Sequence, residues 1–546
     1  PNLFFKNKFD GRLVRLDALT LKNYYFSKGF LDAVVVDSVS HNIIDERKYA
    51  NIFYIINEGR QYFVSDINIS GNNLINDEKI CSILGLKLNR PYDPVGLNDR
   101  MYLLENEYQE IGKLFFTISL DDVIDDSVKI NIEIDEGEFV YINKTNIKKS
   151  DKIDNSIVIR ELDYSSGDRY SKSAIDKTTK RLKEIGVFST ASLKPIKTTE
   201  SDTLVNINID LIKYKQREWN SSGGLNPISF AEGTPPLPAL SAIIEWRNRS
   251  FFNSPKQFST KILMGIPAER VEFVAPRLRF DMSIATNWIL DIRFPTKVIG
   301  YYEKFIIYDN QQYQGSINRF GANLAQRVNF FGRSYFESRS RWENFGDASE
   351  DNIVERSISF KINIDKKDDP LFTRKGYLIG STFKATGFGG TRNYNKADFL
   401  INLYYPLARK TIYAMRIQVG KLWKWDETYV DRLYEKFYLG GSTSMRAWDV
   451  LRFNKSESNE PEGGTFRLMT NIEFRQKLYR HFGMTIFSDG GLLSNNIPNT
   501  IFSKLDWDIG LGLTVDTPLG PLRLDYAVQV ENINAWQIQL GVQNLF

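Results

Sequence analysis

The second half of the chain is a succession of segments, each about ten residues long, in which apolar and polar side chains alternate strictly. Phe466, Leu468, Thr470, Ile472 and Phe474 alternate with Arg467, Met469, Asn471, Glu473 and Arg475. Leu505, Trp507, Ile509, Leu511, Leu513 and Val515 alternate with acidic, glycine and threonine residues, and Leu522, Leu524, Tyr526 and Val528 alternate with Arg523, Asp525, Ala527 and Gln529. A period of two excludes a helix and gives each strand one apolar and one polar face. A length of about ten residues matches a tilted strand crossing a bilayer, and the Arg, Asp, Glu and Gln opposite suit a watery lumen. In hydrocarbon only a closed barrel satisfies the backbone of every strand. Residues 217–546, at about 20 residues per strand and connection, therefore predict roughly 16 antiparallel strands. A soluble sandwich would explain the alternation, but not the aromatic residues gathered at strand ends.

Composition sharpens the division. All nine tryptophans lie at or after Trp219. Tryptophan favours membrane–water interfaces, where its ring meets lipid and its N–H stays wet. Lys plus Arg number 71 against 67 for Asp plus Glu, so the near-balance gives no reason to invoke nucleic acid. No run of about 18 apolar residues occurs, which excludes a helical span. The lone Cys81 and the two distant histidines, His41 and His481, argue against a metal site and leave the chain poor in catalytic equipment. No Gly-x-Ser-x-Gly elbow, His-Glu-x-x-His or phosphate loop is present. The expectation is a non-enzyme with no catalytic residue, metal or cofactor.

The first half is a repeat of another kind. A helix, a glycine, an aromatic and an alternating strand recur around Gly29-Phe30, Gly112 with Phe115, and Gly186 with Phe188. A glycine just past a helix supplies the left-handed residue that ends it. Strand ends with a turn glycine recur at Glu58-Gly59 and Glu136-Gly137. The unit reads strand, helix, helix, strand, strand over about 75–80 residues. Its order and spacing resemble the POTRA module of the BamA/TamA superfamily of outer-membrane proteins. The expected division is a partial module over 1–60, full modules over 61–138 and 139–215, and a barrel over 216–546. Because residues 1–60 hold only a second helix and two last strands, the natural protein is expected to extend upstream.

Three further motifs extend the resemblance. Gly440-Gly441-Ser-Thr-Ser-Met-Arg446-Ala447-Trp448 precedes a polar stretch from Asn454 to Gly464. It resembles the Arg-Gly-aromatic motif on the superfamily's sixth extracellular loop, which folds into the barrel. The resemblance puts Arg446 in the Arg position, Trp448 in the aromatic one and Ala447 where a glycine is usual, so a different local turn is expected, since alanine resists φ > 0. A buried Arg needs an anionic acceptor. By parity Glu473 and Asp489 face inward, and Phe487-Ser-Asp489-Gly resembles the family's receiving wall motif. Asp365 to Tyr377 and Thr517 to Tyr526 resemble two family turns. Trp536-Gln-Ile-Gln-Leu-Gly541-Val-Gln-Asn-Leu-Phe546 resembles the β-signal that barrel-assembly machinery reads, and a terminal aromatic is expected to set its ring at a membrane interface.

The resemblance implies an α+β POTRA array followed by an all-β barrel in the outer membrane of a Gram-negative bacterium, with the modules in the periplasm. It implies assembly or translocation of unfolded outer-membrane or secreted clients through a weak seam between first and last strands. The residues agree: the first strand, with Trp219, Gly223 and Gly224, has few β-branched residues, and Gly541 weakens the last strand, which ends at Phe546. Such an edge can template an incoming strand. The TamA-like type fits best, with a TamB-like periplasmic protein as the implied partner. A BamA-like factor, a two-partner-secretion transporter, a passive channel or receptor, and an enzyme fused upstream stay open.

Overall fold

The computed structural model describes residues 9–546 apart from 45–46, 150–154, 200, 229–236, 268–274, 291, 310–311, 348–349, 426–434, 458, 460, 480, 499–503, 518–519 and 543–545. The chain divides into two compact units, Pro1–Tyr214 and Lys215–Phe546.

The first unit opens with α1 (Gly11–Phe26), capped by the Asp10 side chain, and the antiparallel pair β1 (Val34–Ile44) and β2 (Arg47–Asn57). Next come β3 (Val64–Ser70), α2 (Asp77–Leu84), α3 (Pro94–Glu110), β4 (Thr117–Ile124) and β5 (Val128–Asp135). The sheet order is β3-β5-β4, with β5 parallel to β3 and antiparallel to β4. Being central, β5 buries every second residue: Val128, Ile130, Ile132 and Ile134 pack on Ile80, Leu84, Leu104 and Tyr108 of the helices. The same order recurs in β6 (Tyr141–Lys149), α4 (Asn155–Ile159), α5 (Lys172–Glu184), β7 (Phe188–Lys197) and β8 (Leu204–Lys213), where Val205, Ile207, Ile209 and Leu211 of central β8 form the core.

The repeat glycines do more than stop helices. Gly29 and Gly112 have φ of +86° and +90°, in the left-handed region. Each offers its carbonyl to a backbone N–H at the start of the following module, Tyr62 at 2.8 Å and Val140 at 2.9 Å. The Val187 carbonyl, one residue past Gly186, takes the N–H of Tyr214 in the same way. A side chain at Gly29 would strike the Tyr62 carbonyl, and one at Gly112 would strike Arg169. In the second module Phe116 stacks on Tyr108 at 4.7 Å, while its neighbour Phe115 is exposed.

A carboxylate also ties the second module to the third. Glu110, the last residue of α3, accepts from the Ser173 N–H and hydroxyl, both at 2.7 Å, and from the Ser171 hydroxyl at the start of α5. A carboxylate at a helix N-terminus meets free N–H groups and the positive end of the dipole. Burial raises the Glu110 pKa, but the bonds from Ser173 and Ser171 outweigh it and the net shift is downward.

The second unit is one sheet of 16 strands in sequential order, from β9 (Arg217–Ile228) to β24 (Trp536–Val542), each strand antiparallel to the next. Its outer face is apolar: Leu522, Leu524 and Tyr526 are exposed, while Arg523, Asp525 and Ala527 between them are buried. The same alternation runs along β20 (Phe466–Tyr479). An apolar belt of this extent belongs in lipid, not water. The inner wall carries alternating charge from strand to strand, as where Arg277 meets Glu303 and Lys384 meets Glu355. Between strands, Asp368 of the turn at 366–375 accepts from the N–H groups of Arg374 and Lys375. Gly376 follows at φ +115°, and a Cβ there would overlap the Lys366 carbonyl.

Glu110→Gln should weaken the joint between the second and third modules by at most ~1 kcal/mol, because the carboxylate is partly screened by water. Its folded pKa is lowered, so its contribution is present above about pH 4.3, its unfolded value, and is lost as pH falls through the folded value. Chemical unfolding of the full chain, followed by amide exchange in α5, should show the difference from wild type at pH 7 and its loss as the pH is lowered below the unfolded value and through the folded one.

Candidate functional site: a loop arginine anchored in the barrel lumen

The loop between β19 (Thr411–Lys424) and β20 turns inward at a clasp. Phe437 and Gly464 exchange both backbone hydrogen bonds, each 2.9 Å. The Phe437 ring lies between Lys396 and Arg467, at 4.5 and 4.7 Å, and Gly420 leaves it room. Gly440 and Gly441 then turn the chain at φ +112° and +94°. A Cβ on Gly440 would overlap the Asp449 carbonyl, so only glycine fits. The Gly441 N–H is shared by the carbonyls of Met445 and Trp448, and the Ser444 hydroxyl closes the turn on Gly440.

This turn delivers Arg446, whose accessible surface is 0%. Its Nε and Nη2 bond both oxygens of Asp489, at 2.8 and 2.7 Å, a bidentate pair. Its Nη1 donates to Glu473 at 2.8 Å and lies 3.5 Å from Asp525. The guanidinium stacks on Phe487, 3.3 Å from the ring centroid. Glu473 belongs to β20, Asp489 and Phe487 to β21 (Phe482–Ser494), and Asp525 to β23 (Gly520–Gln529). Arg475 bonds the second Glu473 oxygen at 2.7 Å and Arg523 bonds Asp525 at 2.9 Å, so three guanidinium groups face three carboxylates. A buried charge is tolerable only when paired and hydrogen-bonded in this way.

Wall side chains also hold the loop's main chain. Asn471 donates to the Ser444 carbonyl at 2.8 Å, Arg416 to Thr443 at 2.9 Å and Arg523 to Ser442 at 3.0 Å. Asp508 of β22 (Asp506–Thr517) accepts from the Ala447 N–H at 3.0 Å. Gln529, Gln539 and Gln537 donate to Ala447 O, Trp448 O and the Asp449 carboxylate at 3.2, 3.3 and 3.0 Å. Trp448 packs on Phe453. The loop therefore touches every strand from β19 to β24.

The seam residues are placed as follows. Trp219 on β9 is 73% exposed and its ring faces Trp246 of β10 (Leu237–Asn248) at 6.5 Å. Gly223 and Gly224 pair with Ala242 and Ser241. Gly541 pairs with Arg523, whose guanidinium fills the space where a Cβ would stand. β24 pairs with β23 from Trp536 to Val542, and among the described residues the sheet order ends at β9 and β24 without a hydrogen-bonded register between them. Gln543, Asn544 and Leu545 of the β-signal segment lie outside the described residues. The Phe546 ring is not at a membrane interface. It lies inside, against Tyr404, Arg416 and Arg475 of the inner wall. Cationic partners on the inner wall draw the ring inward, a pull that period-two alternation does not record.

The Omp85 superfamily domain model matches residues 276–543, and the model described as surface antigen variable number repeat, POTRA, matches 62–137. The outer membrane protein assembly factor BamA of Nitratidesulfovibrio vulgaris is 22% identical over 95% of this chain and 65% of its own length. That of Neisseria meningitidis serogroup B is 19% identical over 98% of this chain and 73% of its own. The chain carries the two domain types of the BamA/TamA superfamily, an Omp85 domain and a POTRA repeat. It is an outer-membrane protein with periplasmic POTRA modules. The crystal structure of BamA from Haemophilus ducreyi lacking POTRA domains 1–3 shares the fold, with a TM-score of 0.63, 15% identity, and coverage of 88% of this chain and 98% of that one.

Ala447 is absent from the described residues with positive φ, and its methyl is buried between Phe487 and Ala527. The positive angles fall instead on Gly440 and Gly441. Asn471, Asp508, Asp525, Arg523 and Arg416 belong to the site but were not singled out from the sequence. All except Arg416 lie on the polar side of a readable alternation, yet parity gives a face and not a register. Gly440→Ala should release the loop from the wall. Limited proteolysis between Asn454 and Gly464 should then become at least about tenfold faster, a change equal to ~1.4 kcal/mol, with the sheet still folded by heat-modified gel mobility.

Proposed function

We propose that the protein is an outer-membrane assembly factor that inserts or exports β-rich clients at the seam between β9 and β24. The periplasmic modules take clients or a partner such as a TamB-like protein. The observation that carries this reading is the contrast along the sheet. Each consecutive pair from β9 to β24 is joined by an antiparallel ladder, while the two end strands touch without a hydrogen-bonded register among the described residues. An unpaired strand edge is a template for another strand. The glycine pair of β9 lowers the cost of parting it from a neighbour.

The anchored loop fits this role better than that of a passive pore. Phe437, Leu439, Met445 and Arg446 are fully buried in the lumen, where an open channel would hold water. The loop braces β19 to β24, the side of the wall that ends at the seam. The edge strands of the modules, β7 among them, offer a second surface for strand addition. The relatives named BamA are outer membrane protein assembly factors, and the reading carries that activity to this chain.

Purified protein in lipid vesicles should insert an unfolded outer-membrane barrel protein faster than empty vesicles do, read by the gel shift of the folded client. Arg446→Ala leaves Asp489 without its bidentate guanidinium and Glu473 with Arg475, a cost of about 3–5 kcal/mol. It should lower client insertion at least about tenfold while the variant still reaches the membrane. Insertion at the wild-type rate would remove the loop from the mechanism, and insertion no faster than empty vesicles by the wild type would remove the proposed activity.

A further inference from the structure

The turn at 366–375, between β16 (Glu350–Asp365) and β17 (Gly376–Thr386), takes no part in the seam or the loop anchor. β9 starts at Arg217, directly after the modules end at Tyr214, so the end of the sheet at which β9 starts is the periplasmic one. Strands alternate in direction, and each turn that follows an even-numbered strand lies at that end. The turn reads Lys366-Lys-Asp-Asp-Pro-Leu371-Phe372-Thr-Arg374-Lys375, an apolar tip between two basic pairs. Lys366, Leu371, Phe372, Arg374 and Lys375 are all exposed.

The two acidic residues of the turn are engaged by its own backbone. Asp369 accepts from the N–H groups of Leu371 and Phe372 at 2.8 and 2.7 Å, and Asp368 from those of Arg374 and Lys375 at 3.0 and 3.2 Å. The turns on either side are fastened to it. Arg333 bonds both oxygens of Asp365 at 2.9 and 3.1 Å, and Lys366 lies 3.9 Å from the centroid of the Phe331 ring. Arg374 donates at 2.5 Å to the carbonyl of Arg409, which follows β18 (Tyr394–Ala408). Among the described residues Lys375, Arg409 and Lys410 have no ion-pair partner. The stretch Asp365–Lys375 with Arg333, Arg409 and Lys410 carries seven cations against the carboxylates of Asp365, Asp368 and Asp369, so the rim here is cationic.

The apolar outer face of the wall runs down to this rim in Ile362, Tyr377 and Leu403, and Leu407 continues it. At that level of a bilayer the acyl chains end and the phosphates begin. Apolar side chains that enter the boundary, flanked by cations at the headgroups, hold to anionic lipid by both terms together. We propose that the turn at 366–375, with Arg409 and Lys410 beside it, binds the headgroup of an anionic phospholipid of the periplasmic leaflet. Leu371 and Phe372 enter the acyl boundary, and Arg374, Lys375, Arg409 and Lys410 take the phosphate. The bonds between neighbouring turns keep these groups at one level, so the bound lipid sets the depth of the periplasmic rim. The site works with or without a client and does not depend on the seam.

The test is native mass spectrometry of the full chain in detergent micelles, titrated in turn with phosphatidylglycerol and phosphatidylcholine. The native chain should retain phosphatidylglycerol in preference. Lys375→Gln combined with Lys410→Gln should weaken phosphatidylglycerol binding at least about tenfold and leave phosphatidylcholine binding unchanged. Lys87→Gln combined with Lys129→Gln removes the same charge from the second module and should bind like the native chain. Arg409→Gln, expected to weaken binding about fivefold, is the readout if the double rim variant fails to fold by gel mobility. Equal retention of the two lipids by the native chain, or native binding in the folded rim variants, overturns the site. Displacement of phosphatidylglycerol by an equal concentration of inorganic phosphate overturns it as well, because the apolar tip would then contribute nothing.

Discussion

A guanidinium with no water around it must be given back, by the protein, everything that water supplied. Arg446 receives that from Asp489, Glu473, Asp525 and the face of Phe487. Once it is buried, the rest of the lumen follows from it. The carboxylates must be held in turn, which recruits Arg475, Arg523 and Asn471. The loop main chain must stay close, which recruits Arg416, Asp508 and the glutamines of the last strands. A charged cluster of this kind gives little net stability. What it gives is position, because a network in which each polar atom depends on its neighbour has few alternative arrangements.

The same economy of position governs the periplasmic modules. The cores of the second and third modules are ordinary, a central strand with four apolar residues under two helices. The joints are specific. A left-handed glycine carbonyl accepts an N–H at the start of the next module at Gly29 and at Gly112, and the Glu110 carboxylate adds hydrogen bonds from Ser173 between the second and third. A substitution at such a glycine would disturb a joint more than a core.

The alternation of apolar and polar residues was enough to read the barrel, its outer belt and the inward parity of Glu473 and Asp489. The recurring glycines were enough to read the modules, because left-handed backbone leaves a mark in residue type. Asp525 and Asp508 were on inner faces that anyone could mark. That they meet the loop depends on how far β22 and β23 are shifted against β21, and no local pattern records that shift. Phe546 misled because an aromatic ring serves equally at a lipid interface and over a guanidinium. The outcome depended on Arg416 and Arg475, residues distant in sequence that the fold brings to it.

The sequence by itself determined a barrel of roughly 16 strands, which face of each meets lipid, and where left-handed glycines turn the chain. These follow from local physics, since period, propensity and backbone freedom act over a few residues. Only the tertiary structure decided which carboxylates receive Arg446, what buries the Ala447 methyl, and where the last aromatic ring goes. Those depend on register and on contacts across the lumen, where residues far apart in the chain compete for the same few charged partners.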